Sequence, residues 1–370
     1  MFSRITSSGR VVPEIDGLRF VAIALVVMFH IGHYLAGRPP VDAAPTGHPW
    51  YAHFSRYGHY GVELFFVISG FVLALPFSAH HLKGTPKVEL KRYYVRRLTR
   101  IAPPYLLITV AVYCLAVWVQ GVHAASLFPN FVASLFYLHS LLFGQGSVFN
   151  PVAWTLEIEI QFYLLIPVLT LLFAVSGKFT RRALIVITGF ALLNYQILFI
   201  PGQGGLYFTI ANYLQYFLAG FLLADVYLSE WQEAPVHEWK WDVIAVGGLP
   251  LLLFASQKLG LFRLMLPVAM FLFCVAAFRS VGVHRILTNF WIITIGGMSY
   301  SIYLLHYQLL PVFGEYTSAI ALTDSFSTNF ILQLLLLGPL LVLSSAIYYV
   351  LVERPCMRKD WPRQGLQRVQ

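Results

Sequence analysis

Apolar runs of about twenty residues recur along the whole chain, and this recurrence limits its fold more than any other feature. Ten can be delimited, at 17–36, 58–78, 101–120, 152–174, 182–200, 206–228, 241–256, 262–280, 291–313 and 328–352. A run of that length matches the thickness of a bilayer core as a helix. Hydrocarbon offers no partner to a backbone N–H or C=O, so spanning segments of this kind must be helical. Only 11% of the 370 residues are charged, while 58% are hydrophobic. A soluble domain carries about 25% charged residues, so that class is excluded. The expected fold is all-α: a polytopic integral membrane protein of about ten transmembrane helices. The seventh run is short and suits a tilted or partly buried helix. The stretch 127–143 is also apolar, but Pro129, Asn130 and His139 interrupt it, as in a re-entrant or interfacial segment.

Charge placement gives the topology. With ten spans and a cytoplasmic N-terminus, 21 of the 25 Lys and Arg residues fall on the cytoplasmic side. The exceptions are Arg38, Arg56, Lys258 and Arg263. The positive-inside rule then places both termini in the cytoplasm. The net charge of +9 is accounted for by topology, and no nucleic-acid partner is implied. No small-x-small cleavage site follows His30, so the first run reads as a retained helix and not a signal peptide. Cys114, Cys274 and Cys356 lack metal-ligand spacing and imply no disulfide framework; no metal is expected. No linker or repeat divides the chain. Residues 1–16 read as a cytoplasmic segment, 17–354 as one transmembrane domain, and 355–370 as a short basic tail without room for an appended soluble domain. Loops 37–57 and 121–151 should lie outside and form the mouth of a site.

Ionisable residues inside the runs are expensive, and that cost points to function. His30 lies eleven residues after Arg19, which is three turns plus about 20°. The two therefore share a helix face, about 16 Å apart along the axis. Counting from the outer ends of their spans, His30, Glu159 and His306 lie about 9–10 Å deep, with Glu63 slightly shallower. A carboxylate beside an imidazole orients it and raises its basicity, as a general base requires. The plainer reading is a polar cluster that satisfies itself and fixes packing. Four ionisable groups at one depth weigh toward function, although depth leaves azimuth open. On the cytoplasmic side, Arg97 and Arg100 share a face if their segment is helical. Guanidinium forks at that spacing can grip phosphates; an ordinary anchor for lipid head groups is the alternative. Pro103 and Pro104 follow, and should kink or start the helix. Ser69 lies in mid-bilayer among glycines that allow close packing. Glu353-Arg354-Pro355 reads as a local ion pair and a stop.

Together these segments resemble the acyltransferase-3 family of membrane O-acyltransferases, which modify bacterial surface sugars and some secondary metabolites. Ile15-Asp16-Gly17-Leu18-Arg19 with His30 is similar to the family's Arg-x10-His first helix. The stretch from Gly61 to Phe71 resembles its second-helix motif, with Glu63 where Asp is common. Arg97-Leu98-Thr99-Arg100 matches its R-x-x-R segment, and Trp154 to Tyr163 its fourth-helix signature, in which the position of Glu159 carries the acid. Ser299 to His306 and Glu353-Arg354-Pro355 complete the resemblance. The family's frequent C-terminal esterase-like domain is missing from it.

The resemblance implies a bacterial inner-membrane enzyme. It would use cytosolic acetyl-CoA or another acyl-CoA, docked by its phosphates on Arg97 and Arg100 with Arg19. The acceptor would be a carbohydrate or glycosylated hydroxyl arriving from outside, and acetyl is the acyl group expected. His30, oriented by Glu159 or Glu63, would take the hydroxyl proton or carry the acyl group itself; His306 completes the catalytic set. From another class, a proton-coupled transporter would use His30, Glu159 and His306 as a relay. It would need no paired-arginine phosphate grip.

Overall fold

The computed structural model describes residues 12–35, 57–199, 205–254, 262–317, 319–320, 322–323 and 325–358. The expectations for residues 1–11, most of loop 37–57, Lys258 and the tail from 359 lie outside them. Among the described residues the regular structure is helical, with no strand. In chain order the helices are α1 (Pro13–Leu35), α2 (Tyr60–Lys83), α3 (Leu90–Trp118), α4 (Ala124–Leu135), α5 (His139–Phe143), α6 (Trp154–Leu169), α7 (Lys178–Phe199) and α8 (Leu214–Ser229). They continue with α9 (Lys240–Phe254), α10 (Phe262–Arg279), α11 (Gly282–Leu287), α12 (Phe290–Gly297), α13 (Ser299–Thr317), α14 (Phe326–Tyr348) and α15 (Arg354–Cys356).

Five segments are long and apolar enough to cross a bilayer: Pro13–Leu35, Tyr60–Lys83, Leu90–Trp118, Pro151–Ala174 and Ser327–Cys356. Shorter apolar helices accompany them, including Leu214–Ser229 and Met265–Arg279. Two expected spans are not single long helices. Run 291–313 is divided between α12 and α13 by a turn at Met298. Gly296-Gly297 precede this turn, and the Gly296 backbone lies so close to α1 that an added Cβ would sit 1.8 Å from the Asp16 carbonyl oxygen. Run 206–228 begins as two 3-10 turns and becomes α-helical only at Leu214. Gln161 of α6 holds those turns, donating to the Phe208 carbonyl at 3.3 Å and accepting from the Ile210 N–H at 2.8 Å. Stretch 127–143 is divided, although not at Pro129 and Asn130, which lie inside α4; the break falls at 136–138, just before His139, with Tyr137 left-handed (φ 58°) between α4 and α5.

Small residues set the central packing. α2 and α8 run side by side in the same direction, with Gly70 against Phe217 and Gly220 against Val67. On another face of α2, Gly61 meets the Ala22 carbonyl and Gly58 meets Phe29, which brings α1 in antiparallel. Without a hydrophobic drive between helices in lipid, such close backbone approach supplies the dispersion contacts that hold them.

α3 begins at Leu90 and continues through Pro103 and Pro104, where a kink or a start was expected. The prolines remove two helical donors. Nearby carbonyls accept from outside: Ile101 from the Tyr300 hydroxyl at 2.7 Å, and Pro104 from the Tyr348 hydroxyl at 2.6 Å. These bonds tie the arginine-bearing half of α3 to α13 and α14.

Basic residues of segments 79–100 and 175–182 gather at one end of the bundle. Arg181 and Arg182 both donate to Asp225, which is fully buried. Lys178 and Arg182 hold the Glu230 carboxyl below the usual carboxylate range through hydrogen bonds, and Lys83 reaches Glu233 at 2.8 Å. Leaving one member of a buried pair uncompensated costs about 3–5 kcal/mol. Asp225→Ala strands the buried Arg181 and should therefore unfold at markedly lower temperature in detergent, and the joint Arg181→Met, Asp225→Leu change should recover most of the loss. An unshifted midpoint for Asp225→Ala would show that the pair contributes nothing.

Candidate functional site

Arg19, Arg97 and Arg100 converge on one cleft between α1, α2, α3, α6 and α13. The cleft encloses about 850 Å³ of space free of atoms, including the part open to solvent. α3 is helical across Lys91–Arg100, so the three-residue spacing does place both of its arginines toward one side. Arg97 also lies over the Tyr93 ring, 5.8 Å from its centroid. Arg19 is held by Asp16 at 2.8 Å, one turn earlier on α1.

Glu159 enters this same cleft. Its Oε1 accepts from the Ser69 hydroxyl at 2.9 Å and the Tyr163 hydroxyl at 2.6 Å. Thr155, Glu159 and Tyr163 recur every four residues and present one face of α6 to the cleft. That spacing is readable in the sequence, although only Glu159 was singled out from it. Glu157, two residues away, points elsewhere: it is fully buried and accepts the Ser140 N–H at 2.9 Å, anchoring the start of α5.

The histidines form a separate pair. His306 is 1% exposed, with Nδ1 2.8 Å from the Tyr303 carbonyl and 3.1 Å from the Ile302 carbonyl. Carbonyls only accept, so this network assigns the proton to Nδ1 and leaves the lone pair on Nε2. His306 Nε2 lies 3.3 Å from His30 Nδ1, which is also 2.8 Å from the Val26 carbonyl. His30 Nδ1 is therefore the donor, and His30 Nε2 carries a lone pair. Phe29 and Tyr307 pack edge-on against the His30 ring, at 5.2 and 5.5 Å between centroids.

The four groups expected at one depth are thus not assembled: Glu159 lies in the cleft with Arg19, about 16 Å along α1 from His30. His30 and His306 meet. Glu159 faces the arginines. Glu63 lines a second cavity with Tyr60, Gln196, Tyr213, Gln215 and Tyr216. Glu63 lies two residues after Gly61, about 200° around the helix, and Gly61 is the residue pressed onto α1. Among the described residues no hydrogen bond joins either histidine to Glu159 or Glu63, so His306 holds the place beside His30 that a carboxylate was expected to take. A relay of His30, Glu159 and His306 is not connected either.

Glu353 does more than close α14. Its Oε2 accepts both the backbone N–H, at 3.1 Å, and the hydroxyl of Ser301. A carboxylate on the first turn of α13 answers free N–H groups and the positive end of the helix dipole. It thereby fixes the helix that carries Tyr303 and His306. Sequence reading made Glu353 a local feature because its partner is 52 positions away.

The acyltransferase domain family, Acyl_transf_3, matches residues 12–350, nearly all of the described chain. The chain belongs to the acyltransferase-3 family. Its match takes in the arginine cleft, the histidine pair and the helices that hold them. The chain is 25% identical over 335 residues to the O-acetyltransferase OatA of Staphylococcus aureus strain NCTC 8325, covering 84% of this chain and 52% of that protein. The OatA of strain COL gives the same figures. A similar comparison is with a further Staphylococcus aureus strain COL protein, 24% identical over 334 residues. The chain spans about half the length of the curated relatives it matches. No solved structure matches it.

For this acyltransferase-3 chain, among the described residues, no three His, Cys, Asp or Glu side chains converge to hold a metal ion. Cys114, Cys274 and Cys356 are free thiols. Hydrogen bonds to a charged group contribute about 1.5–3 kcal/mol. Tyr163→Phe is therefore expected to lower the unfolding midpoint in detergent, and Ser69→Ala to do so less. Equal stability of Tyr163→Phe and wild type would show that the Tyr163 hydroxyl does not hold Glu159.

Proposed function

We propose that this chain transfers an acyl group from acyl-CoA on the cytosolic side to a hydroxyl of a carbohydrate or glycosylated acceptor on the outer side. Acetyl is the simplest donor group, in keeping with relatives named O-acetyltransferases. One observation carries the reading: three guanidiniums share a cleft, and the α1 face that supplies one of them also supplies His30, about 16 Å further along. Arginine forks suit the phosphates of coenzyme A. An extended pantetheine arm has a length comparable to the rise from Arg19 to His30.

The reaction follows from the tautomers. His30 Nε2 takes the proton of the acceptor hydroxyl as its oxygen attacks the thioester carbonyl. The C–O bond forms, the C–S bond breaks, and the departing thiolate receives the proton from His30. Products are the ester and free coenzyme A. While His30 carries the extra proton, its Nδ1–H donates to His306 Nε2, and that hydrogen bond strengthens as charge develops. His306 is thus a positioning residue that fixes the tautomer and ring plane of the base. Glu159 serves the donor side, where its carboxylate faces Arg97 across the cleft. The basic ends of α2 and α7 support a cytosolic position for the donor mouth. The reading places the protein in a bacterial inner membrane with both termini cytoplasmic.

The test uses purified protein in lipid with labelled acetyl-CoA, following release of coenzyme A and label transfer to a supplied glycan. His30→Ala should lower turnover by roughly 10²–10⁴-fold without changing donor KM. Turnover at the wild-type rate would remove His30 as the base. Arg97→Ala should raise donor KM by roughly tenfold or more, as loss of one charge-assisted contact of about 1.5–3 kcal/mol implies. Arg97→Lys should rescue it poorly, because an ammonium lacks the bidentate fork. Full rescue by lysine would make the contact a simple point charge.

A further inference from the structure

The α1 face that Arg19 and His30 share is closed between them. Ile23 and Val26 occupy it, each only 2% exposed. Ile23 belongs to a hydrophobic cluster with Tyr303, Leu156 and Val152. Tyr303 is the member of that cluster touching both sites. Its side chain lines the arginine cleft, and its ring centroid lies 6.0 Å from that of His306. Its hydroxyl is bonded to the Thr155 hydroxyl at 2.6 Å and to the Val152 carbonyl. Thr155 lies one turn before Glu159 on the cleft face of α6. The bond therefore joins α13, which carries His306, to α6, which carries Glu159.

We propose that Tyr303, latched to Thr155, is the partition between the donor cleft and His30, and that it sets how large an acyl group can pass. The inference rests on the acyl-CoA reading above. A thioester bound by its phosphates on Arg97 and Arg100 meets this ring before it meets the base. Close-packed interiors yield little, so the acyl group advances only when the latch opens or when the group is small enough to pass the ring. A phenol is well suited to this position. Its ring seals against Ile23 and Leu156, while its hydroxyl needs a polar partner when buried and so holds the closed state. A phenylalanine would seal without latching, and a small residue would do neither.

The experiment compares acetyl-, butyryl- and octanoyl-CoA on wild-type protein, Tyr303→Phe, Thr155→Val and Tyr303→Ala, all in lipid, by coenzyme A release. Tyr303→Ala should raise the ratio of octanoyl- to acetyl-CoA turnover by roughly tenfold or more, within the range that pocket shape commonly confers. Tyr303→Phe removes both hydroxyl bonds and Thr155→Val only the one between the two side chains, each while keeping volume. Tyr303→Phe should raise acyl-CoA hydrolysis without acceptor severalfold, Thr155→Val should raise it less, and their combination should add no more than Tyr303→Phe alone, since the phenylalanine already lacks the shared bond. Should Tyr303→Ala fail to fold, these two variants decide alone, with Tyr303→Leu as the reduced ring. An unchanged chain-length profile and unchanged hydrolysis in folded variants that still use acetyl-CoA would overturn the partition and leave the donor reading intact. Absence of turnover with every acyl-CoA in wild-type protein would overturn the donor reading and the partition together.

Discussion

Water is absent from the hydrocarbon core, so a polar side chain placed there must be answered by protein. A buried group left without a partner costs several kcal/mol. The polar architecture of this chain follows from that constraint. Asp225 is answered by two arginines. Glu159 is answered by two hydroxyls beside Arg97, and Glu157 by a backbone N–H. Carbonyls at the Pro103-Pro104 step are answered by tyrosines from α13 and α14. Apart from Tyr163, which shares α6 with Glu159, each answer comes from a different helix, so the same bonds that satisfy the polar groups also fix how the helices sit.

The histidine pair shows how the constraint serves chemistry. Two carbonyls on one turn of α13 determine which nitrogen of His306 carries its proton. The Val26 carbonyl, 2.8 Å from His30 Nδ1, and the His306 lone pair, 3.3 Å from it, together leave the far nitrogen of His30 with a lone pair. In the proposed reaction, backbone geometry thus prepares the base without a neighbouring carboxylate, whose charge would itself need an answer in the membrane. The carboxylate stays with the guanidiniums, where opposite charge makes it tolerable. The arginine cleft and the histidine pair are assembled in different electrostatic surroundings, with a hydrophobic cluster that includes Ile23, Leu156 and Tyr303 between them.

Sequence periodicity revealed much of this, and its failures have a common cause. Run length identified the helical membrane fold, and the eleven-residue spacing put Arg19 and His30 on one face. The R-x-x-R spacing placed Arg97 and Arg100 correctly, because three residues along a helix fix both depth and direction. Depth counted from span ends did not do so for Glu63 and Glu159: Glu159 lies in the cleft with Arg19, and Glu63 follows Gly61, which is pressed onto Ala22 and not onto the turn of His30. The break at Met298 follows Gly296-Gly297, a local signal that the apolarity of the run outweighed, and Gly296 is also pressed onto Asp16, 280 positions earlier. Glu353 read as a local feature and Tyr303 had no role of its own, because the partners of both are far away in the chain. Hydropathy shows what a segment avoids, while these residues are defined by what they touch.

The contact between His30 and His306 spans 276 positions, from the first helix to one of the last. It cannot exist while the ribosome is still making the intervening helices. The arginine cleft is also incomplete until α13 supplies Tyr300 and Tyr303. Glu353, later still in the chain, secures that helix at Ser301. During biogenesis the first helix therefore waits with an imidazole bonded only to its own Val26 carbonyl, and the order of synthesis itself keeps a half-inserted chain from possessing the histidine pair.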